Sequence, residues 1–189
     1  IKTCPECGAE LVRFEGEAAH YCPNDSACPP QIKGRIEHFI SRKAMNIDSL
    51  GPETVDNYDQ RGLIHDVSDL YKLTVADICG YNKNRVKSAQ KVVDGVKSTL
   101  QVPFERVVFA IGIRFVGETT AKLIARHFKS MEALQNATVE QLMEVDGVGQ
   151  VIAESVVKYF QEPKNAEMVA RLAAYGVQMQ LSEEQLSGQ

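Results

Sequence analysis

The stretch GVGQVIA, residues 147–153, places two glycines around one valine, directly before an apolar run with helical character. Glycine is used where a turn needs unusual backbone angles, or where the backbone must approach a ligand closely. The first use serves only folding, whereas the second indicates what the protein binds. One such stretch, taken alone, favours a simple turn between helices.

Three further stretches repeat this pattern: SLGPETV (49–55), GYNKNRV (80–86) and FVGETTA (115–121). The third positions of the four copies are Gly51, Asn82, Gly117 and Gly149, which lie 31, 35 and 32 residues apart. The second positions are apolar or aromatic: Leu50, Tyr81, Val116 and Val148. The seventh positions are small or β-branched: Val55, Val86, Ala121 and Ala153. A period near 30 residues is typical of a repeated supersecondary unit.

Each copy lies between two segments with helical periodicity. The segments before the copies are GRIEHFISRKAM (34–45), TVADIC (74–79), PFERVVFAIG (103–112) and TVEQLMEV (138–145). Those after them are PETVDNYDQRG (52–62), NRVKSAQKVVDGVKSTL (84–100), ETTAKLIARHF (118–128) and QVIAESVVKYF (150–160). A last helix is predicted near residues 165–175, ending at Gly176. The fold class is therefore mainly α, with an array of four units of helix, short hairpin and helix.

The hairpins predict a contact with phosphate. We expect a left-handed residue at the third position, for which asparagine is the usual substitute for glycine. Backbone N–H groups at the start of a helix, together with the helix dipole, attract an anion, and a glycine lets it come close. Four copies favour this interpretation over simple connecting turns. The candidate DNA-binding residues are Gly51, Gly80, Asn82, Lys83, Arg85, Gly117, Lys122, Gly147 and Gly149.

The first 28 residues contain four cysteines, Cys4, Cys7, Cys22 and Cys28, in a C-x2-C and a C-x5-C pair. Two such pairs are typical of a tetrahedral zinc site, and four thiolates leave no open position for catalysis. One structural zinc ion is therefore predicted, with no catalytic residue. The alternatives are two disulfides, four unrelated thiols, or a site in which His20 replaces one cysteine. Cys79, by contrast, is predicted to be a core residue.

The formal net charge of −4 argues weakly against a nucleic-acid partner. Contacts made by backbone amides need little side-chain charge, so a net negative charge is compatible with binding to nucleic-acid phosphates. A basic cluster lies between Lys83 and Lys97, where a solvated helix face is the simpler interpretation. No apolar run has the length of a transmembrane helix and no secretion leader is evident. The first residue is Ile1 rather than methionine, which suggests a piece of a longer protein.

Two parts of the chain resemble bacterial NAD-dependent DNA ligases. The segment CPECGAELVRFEGEAAHYCPNDSACPPQ (4–31) resembles their four-cysteine zinc finger. The segments AMNIDSLGPETV (44–55), DVSDLYKLT (66–74) and FAIGIRFVGETTAKLIARHF (109–128) resemble the helix-hairpin-helix domain that follows it. The resemblance divides the chain into a zinc finger (1–32), a helix-hairpin-helix domain of four repeats (33–180) and a tail or linker (181–189). Asn82 and the wider second cysteine pair depart from the usual family pattern.

The resemblance implies a sequence-independent DNA-binding part that grips nicked duplex DNA during replication and repair, in the bacterial cytoplasm, in association with the nucleoid. NAD and magnesium would act only in a catalytic domain elsewhere in the parent ligase, where a lysine is adenylated. The lysine-x-aspartate-glycine signature is missing here, and KVVDG at Lys91 has one residue too many. This chain alone is expected not to seal nicks, and its partners would be the remaining ligase domains and DNA, without a membrane.

Three alternatives stay open at this stage. The chain could be a tandem-hairpin module of another repair or recombination protein. It could be a zinc-stabilised scaffold for protein interactions, whose binding would not weaken with salt as phosphate contacts do. A metalloenzyme is the poorest alternative, because a four-thiolate site is closed to substrate.

Overall fold

The computed structural model of the chain describes residues 1–13, 15–24, 28–80 and 82–182. Tyr81, the second position of the second copy, and residues 183–189 of the predicted tail lie outside them. None of the helices in the described part is long and apolar enough to span a membrane.

A small antiparallel ribbon forms the first unit. Strand β1 (Val12–Arg13) pairs with β2 (His20–Tyr21), and Val12 is opposite Tyr21. A separate antiparallel bridge joins Thr3, next to Cys4, to Glu10. Strands are confined to this unit in the described part of the chain, as the sequence predicts.

The rest of the described chain is helical. The α-helices are α1 (Pro29–Ile40), α2 (Pro52–Gln60), α3 (Val75–Cys79), α4 (Val86–Ser98), α5 (Phe104–Ala110), α6 (Glu118–Phe128), α7 (Met131–Gln135), α8 (Val139–Met143), α9 (Gln150–Gln161) and α10 (Pro163–Ala174). Three 3-10 helices cover Val67–Lys72, Lys83–Arg85 and Thr99–Gln101. The prediction of a mainly α array after the finger is confirmed.

Most predicted helices are present with close bounds, but α1 is shifted. It was expected at residues 34–45 and covers Pro29–Ile40 instead. Pro29 and Pro30 fit the first helical turn, where a missing N–H removes no hydrogen bond. Ser41 ends the helix in an extended conformation, and its hydroxyl donates to the carbonyl of His38 at 2.5 Å. Helix α7 and the 3-10 helix Val67–Lys72 were not predicted, because they are too short to show periodicity.

Four hairpins connect the helices, and we number them by chain order as hairpin 1 (47–51), hairpin 2 (79–82), hairpin 3 (113–117) and hairpin 4 (145–149). In hairpins 1, 3 and 4 the second-position residue is buried: Leu50, Val116 and Val148. The N–H of each donates to the carbonyl three residues earlier, at 3.0 to 3.2 Å. Burying a side chain of this size contributes about 1.5–3 kcal/mol, so the apolar second position anchors each turn to the core.

The units contact each other in pairs. Arg61, just after α2, donates to the carbonyls of Ile78 and Asp77 at the end of α3, at 2.9 and 2.7 Å. In the second pair, the Ser155 hydroxyl of α9 donates to the carbonyl of Arg114 in hairpin 3 at 2.6 Å. Helix α1 joins the two pairs, since Nε2 of His38 lies 2.7 Å from the carbonyl oxygen of Phe109.

Helix α10 closes the array. Arg171 donates to Asp66 at 2.7 Å and to the buried hydroxyl of Ser68 at 3.1 Å. One hydrophobic core extends from Ile36 to Leu181 and includes Cys79, as predicted for that thiol. The helix N-termini at the hairpins are thus held on a packed scaffold rather than on free loops.

Candidate metal centre and nucleic-acid interface

The four cysteine sulfurs converge at one point. All four Sγ atoms lie within 4.8 Å of one another, with Cys4 and Cys28 at 3.9 Å and Cys7 and Cys22 at 3.5 Å. A tetrahedral zinc site with bonds of about 2.3 Å has sulfurs about 3.8 Å apart. The donor set therefore fits a tetrahedral metal ion.

Local structure orients these thiols. Gly8 has φ +77°, which lets its N–H donate to the carbonyl of Cys4 at 2.8 Å and folds the first pair into a tight turn. Cys28 precedes α1, so its sulfur lies at the positive end of a helix dipole. The side chain of Gln31 in that helix donates to the carbonyl of Cys22 at 2.9 Å. Helix α1 thus positions both cysteines of the second pair, in spite of the wider spacing between them.

The thiols differ in acidity. A hydrogen bond from the backbone N–H of Ala9, with another from Asn24, lowers the pKa of Cys7 to about 6. Desolvation raises the pKa of Cys22 to about 12. Cys7 is therefore the more acidic of these two thiols.

The geometry favours none of the three alternatives to a four-thiolate site, since all four sulfurs lie close to one another. The cysteines are free thiols, and their sulfurs are much further apart than the roughly 2.05 Å of a disulfide bond. His20 is exposed and is not among the residues that meet at the cluster in the described chain. The site is closed, which suits a structural metal.

The third-position glycines do not have the left-handed conformation that the sequence analysis expected. Gly51, Gly117 and Gly149 have φ −121°, −87° and −89° with ψ near 180°, which is extended backbone open to any residue. Asn82 is also not left-handed, at φ −94°. The expectation was wrong because the third position directly precedes a helix, where extended angles are the rule.

The left-handed residue lies two positions earlier. Gly80, Phe115 and Gly147 have φ +54°, +69° and +92°. A Cβ on Gly147 would also lie 3.2 Å from Cδ1 of Leu123. Gly147 and Gly80 thus have a folding reason to be glycine, whether or not a ligand also contacts them.

Gly51, Gly117 and Gly149 have no such reason. A Cβ at any of them would meet none of the described residues within 4 Å. Each is the N-cap residue of a helix and supplies no side-chain cap, a role in which glycine is accepted at a cost of a few tenths of a kcal/mol relative to Ser, Thr, Asp or Asn. Their carbonyls accept the first helical hydrogen bonds, at 2.9 to 3.0 Å. Helices α2, α6 and α9 therefore start with free space beside N–H groups that no side chain caps.

Hairpin 2 is built differently. The side-chain oxygen of Asn82 accepts a hydrogen bond from the N–H of Asn84 at 3.1 Å. A 3-10 turn (Lys83–Arg85) then precedes α4, and Val86 at the seventh position is 46% exposed. In the other copies the seventh position is buried: Val55, Ala121 and Ala153. This hairpin caps its own helix start.

Charged side chains are unevenly distributed around the uncapped N-termini of α2, α6 and α9. Lys122 on α6 is exposed, as are Lys83 and Arg85 beside hairpin 2. The first turns of α2 and α6 carry Glu53 and Glu118, whereas that of α9 carries no acidic residue. The first turn of α9 thus lacks the carboxylate that the first turns of α2 and α6 carry, although Asp146 lies within hairpin 4 itself.

One cluster at the boundary of the finger was missed by the sequence analysis. The guanidinium of Arg114 lies 4.3 Å from the ring centre of Tyr21 and 4.8 Å from that of Phe115. A hydrogen bond to Glu17 raises the pKa of Tyr21. The only sequence signal was Phe115 itself, an aromatic residue where the second and fourth copies have glycine.

Comparison with known proteins agrees with both parts of the chain. Residues 3–29 match the family model of the NAD-dependent DNA ligase C4 zinc finger domain. Residues 106–169 match that of the helix-hairpin-helix motif, which includes hairpins 3 and 4.

Curated relatives match the whole chain. It is 58% identical to a DNA ligase of Bacteroides fragilis over 188 residues, 100% of this chain and 28% of that protein. The identity to a DNA ligase of Phocaeicola vulgatus is 57%, over 99% of this chain and 28% of that protein. For Flavobacterium johnsoniae it is 50%, over 97% and 27%. The chain thus spans little more than a quarter of the curated relatives it matches.

Proposed function

This chain is a relative of bacterial DNA ligases along its whole length, and we propose that it is the sequence-independent DNA-binding part of an NAD-dependent DNA ligase. In this proposal it grips the duplex backbone around a nick while the rest of the ligase seals the nick, in replication and repair. The adenylated lysine, NAD and magnesium belong to that remainder. The chain acts in the bacterial cytoplasm, on nucleoid DNA.

The observation that carries the proposal is the open space at Gly51, Gly117 and Gly149. No contact in the described part of the chain requires glycine there, since the backbone angles suit any residue and a Cβ would clash with none of the described residues. A capping side chain would satisfy the helix start better. A phosphate oxygen that accepts from the bare N–H groups explains both the missing cap and the missing Cβ.

The acidic residues and caps near each helix start determine how much each hairpin should contribute to phosphate binding. Hairpin 4 contributes most, because no acidic side chain stands in the first turn of α9. Hairpins 1 and 3 follow, since Glu53 and Glu118 oppose an anion there. Hairpin 2 contributes least through its backbone, because the Asn82 side chain already accepts a hydrogen bond from the N–H of Asn84. Lys83, Arg85 and Lys122 then supply charge near the backbone rather than base recognition.

The four-cysteine site holds one structural zinc ion in this proposal. Cys4, Cys7, Cys22 and Cys28 supply thiolates, and the metal stabilises a unit with too few apolar residues to fold by burial alone. No residue of this chain acts as a catalytic group, and the chain contains no lysine-x-aspartate-glycine sequence.

The test is fluorescence anisotropy of a labelled nicked duplex titrated with this chain, at about 50 and 200 mM salt. The decisive variant is Gly149→Asp, and its matched control is Asn82→Asp. Aspartate caps a helix at least as well as glycine, so Gly149→Asp should leave the free energy of unfolding unchanged or slightly higher. Because the carboxylate stands where the phosphate would, DNA affinity should fall about thirtyfold, which corresponds to about 2 kcal/mol of like-charge repulsion.

Asn82→Asp should change the affinity much less, because that helix start is already capped. Equal losses for the two variants would contradict the ranking of the hairpins. DNA binding that is insensitive to salt and to Gly149→Asp would favour the protein-interaction scaffold. Incubation of the chain with NAD and magnesium should give no adenylated protein by mass spectrometry.

A further inference from the structure

Arg114 lies where three parts of the molecule meet. Its guanidinium contacts Tyr21 of the finger on one side and Phe115 of hairpin 3 on the other, within the distance at which a cation is attracted to an aromatic ring. Its carbonyl accepts the Ser155 hydroxyl of α9 at 2.6 Å. The backbone of Arg114 is thus held by the array while its side chain reaches into the finger.

The finger supplies a charge at this contact. Oε2 of Glu17, in the turn between β1 and β2, lies 3.9 Å from Nη2 of Arg114. That oxygen is buried, and no described residue gives it a hydrogen bond. A buried carboxylate oxygen without a donor is destabilising unless a nearby cation compensates it. Arg114 is positioned to compensate this oxygen, beside the hydrogen bond that joins Tyr21 to the same carboxylate.

Phe115 bears backbone strain at the same place. A bulky residue at φ +69° is a genuine outlier, and the equivalent residues of hairpins 2 and 4 are Gly80 and Gly147. Its side chain is 49% exposed, so burial does not explain it. Strain of this kind persists only where surrounding contacts impose it. The ring lies against the Arg114 guanidinium, a contact that favours this conformation.

The metal site directly adjoins the contact between Tyr21 and Arg114. Tyr21 directly precedes Cys22, whose carbonyl is in turn bonded to Gln31 of α1. Ordering Cys22 by metal binding therefore orders Tyr21, and Tyr21 holds Arg114. Gly117 lies three residues beyond Arg114, directly before the start of α6.

We propose that Arg114 is a positioning residue that couples the four-cysteine metal site to hairpin 3, so that the metal-bound finger holds the start of α6 in its DNA-binding arrangement. The coupling itself concerns only this chain, whereas its consequence for DNA rests on the proposed function. No finger residue needs to touch DNA for metal binding to raise DNA affinity.

Native-state hydrogen exchange of the zinc-loaded and zinc-stripped chain tests the coupling. In the unmodified protein, stripping should raise the exchange of residues 113–121 about three- to tenfold, the size expected from losing the cation–π contact with Tyr21 together with the Glu17 charge. Residues 47–55, around hairpin 1, serve as the internal reference and should change much less. In Arg114→Leu the loaded protein should already show the faster exchange at 113–121, with little further change on stripping.

Two further variants sharpen the result. Arg114→Lys keeps the charge but loses the planar guanidinium. The hydrogen exchange of residues 113–121 in this variant should therefore lie between that of the unmodified protein and that of Arg114→Leu. Arg106→Leu is the matched control, because the Arg106 guanidinium donates outside the finger, to the carbonyl of Arg42 at 2.8 Å. It should keep the full dependence on zinc. If Arg114→Leu fails to fold, Tyr21→Leu removes the same contact from the finger side and should give the same loss of dependence.

The proposal is overturned if hairpin 3 exchanges at the same rate with and without zinc, or if Arg114→Leu keeps the full zinc dependence. Nicked-duplex affinity then separates this proposal from the proposed function. Exchange that follows the coupling, with no DNA binding by any form, would leave the coupling standing and count against the DNA-binding role. Affinity that falls equally in zinc-stripped protein and in Arg114→Leu supports both.

Discussion

Hairpins 2 and 4 share one seven-residue pattern but present different surfaces. In hairpin 4, Gly149 leaves the start of α9 bare, and Ala153 is buried behind it. In hairpin 2, the Asn82 side chain takes an N–H group, a 3-10 turn follows, and Val86 is exposed. The difference teaches that the side chain at the third position decides whether a helix start is available to a ligand or satisfied within the protein.

The largest expected effect comes from making hairpin 4 resemble hairpin 2. In Gly149→Asn the new amide oxygen should cap α9 and displace a phosphate, which removes a charge-assisted hydrogen bond worth about 1.5–3 kcal/mol. We expect nicked-duplex affinity to fall about tenfold or more at low salt by anisotropy. The free energy of unfolding, from urea titration, should change by less than about 0.5 kcal/mol. An unchanged affinity would mean that the bare helix start is not a ligand site.

Substitutions of the two glycines of hairpin 4 should have different effects on the free energy of unfolding. Gly147→Ala forces a Cβ onto a residue at φ +92° and towards Leu123, so we expect a loss of about 1–2 kcal/mol in urea unfolding. Gly149→Ala is the matched control. Its poorer capping is offset by the smaller entropy of the unfolded chain, so little net change is expected. A larger loss for Gly149→Ala would reverse the assignment of turn glycine and open glycine.

The smallest effect is expected from opening hairpin 2. Asn82→Gly frees the N–H of Asn84 and should raise nicked-duplex affinity about two- to threefold, the scale of one exposed helix-dipole interaction of 0.3–1 kcal/mol. Stability should fall by a few tenths of a kcal/mol, since a cap is lost. Reduced affinity would show that the Asn82 amide itself contacts DNA, and the comparison between the two hairpins would then fail.

The sequence alone determined those features that depend on neighbours along the chain. Helix α9 begins at Gln150 and α6 at Glu118, as their periodicity indicates. The four cysteines were identified as one site by spacing, because thiolates in two turns can satisfy a tetrahedron with little help from the rest of the fold. The capping box of Thr138 and Gln141 was also predictable, since its bonds lie within one helical turn.

Tertiary structure decided which glycine serves the turn and which stands open. Both glycines of GVGQVIA look alike in the sequence, but only packing places Leu123 of another helix against Gly147 and leaves nothing against Gly149. The Tyr21, Arg114 and Phe115 cluster was equally hidden, because its rings and guanidinium come from distant parts of the chain. Free space and long-range contacts are properties of the packed molecule, and no local pattern of residues encodes them.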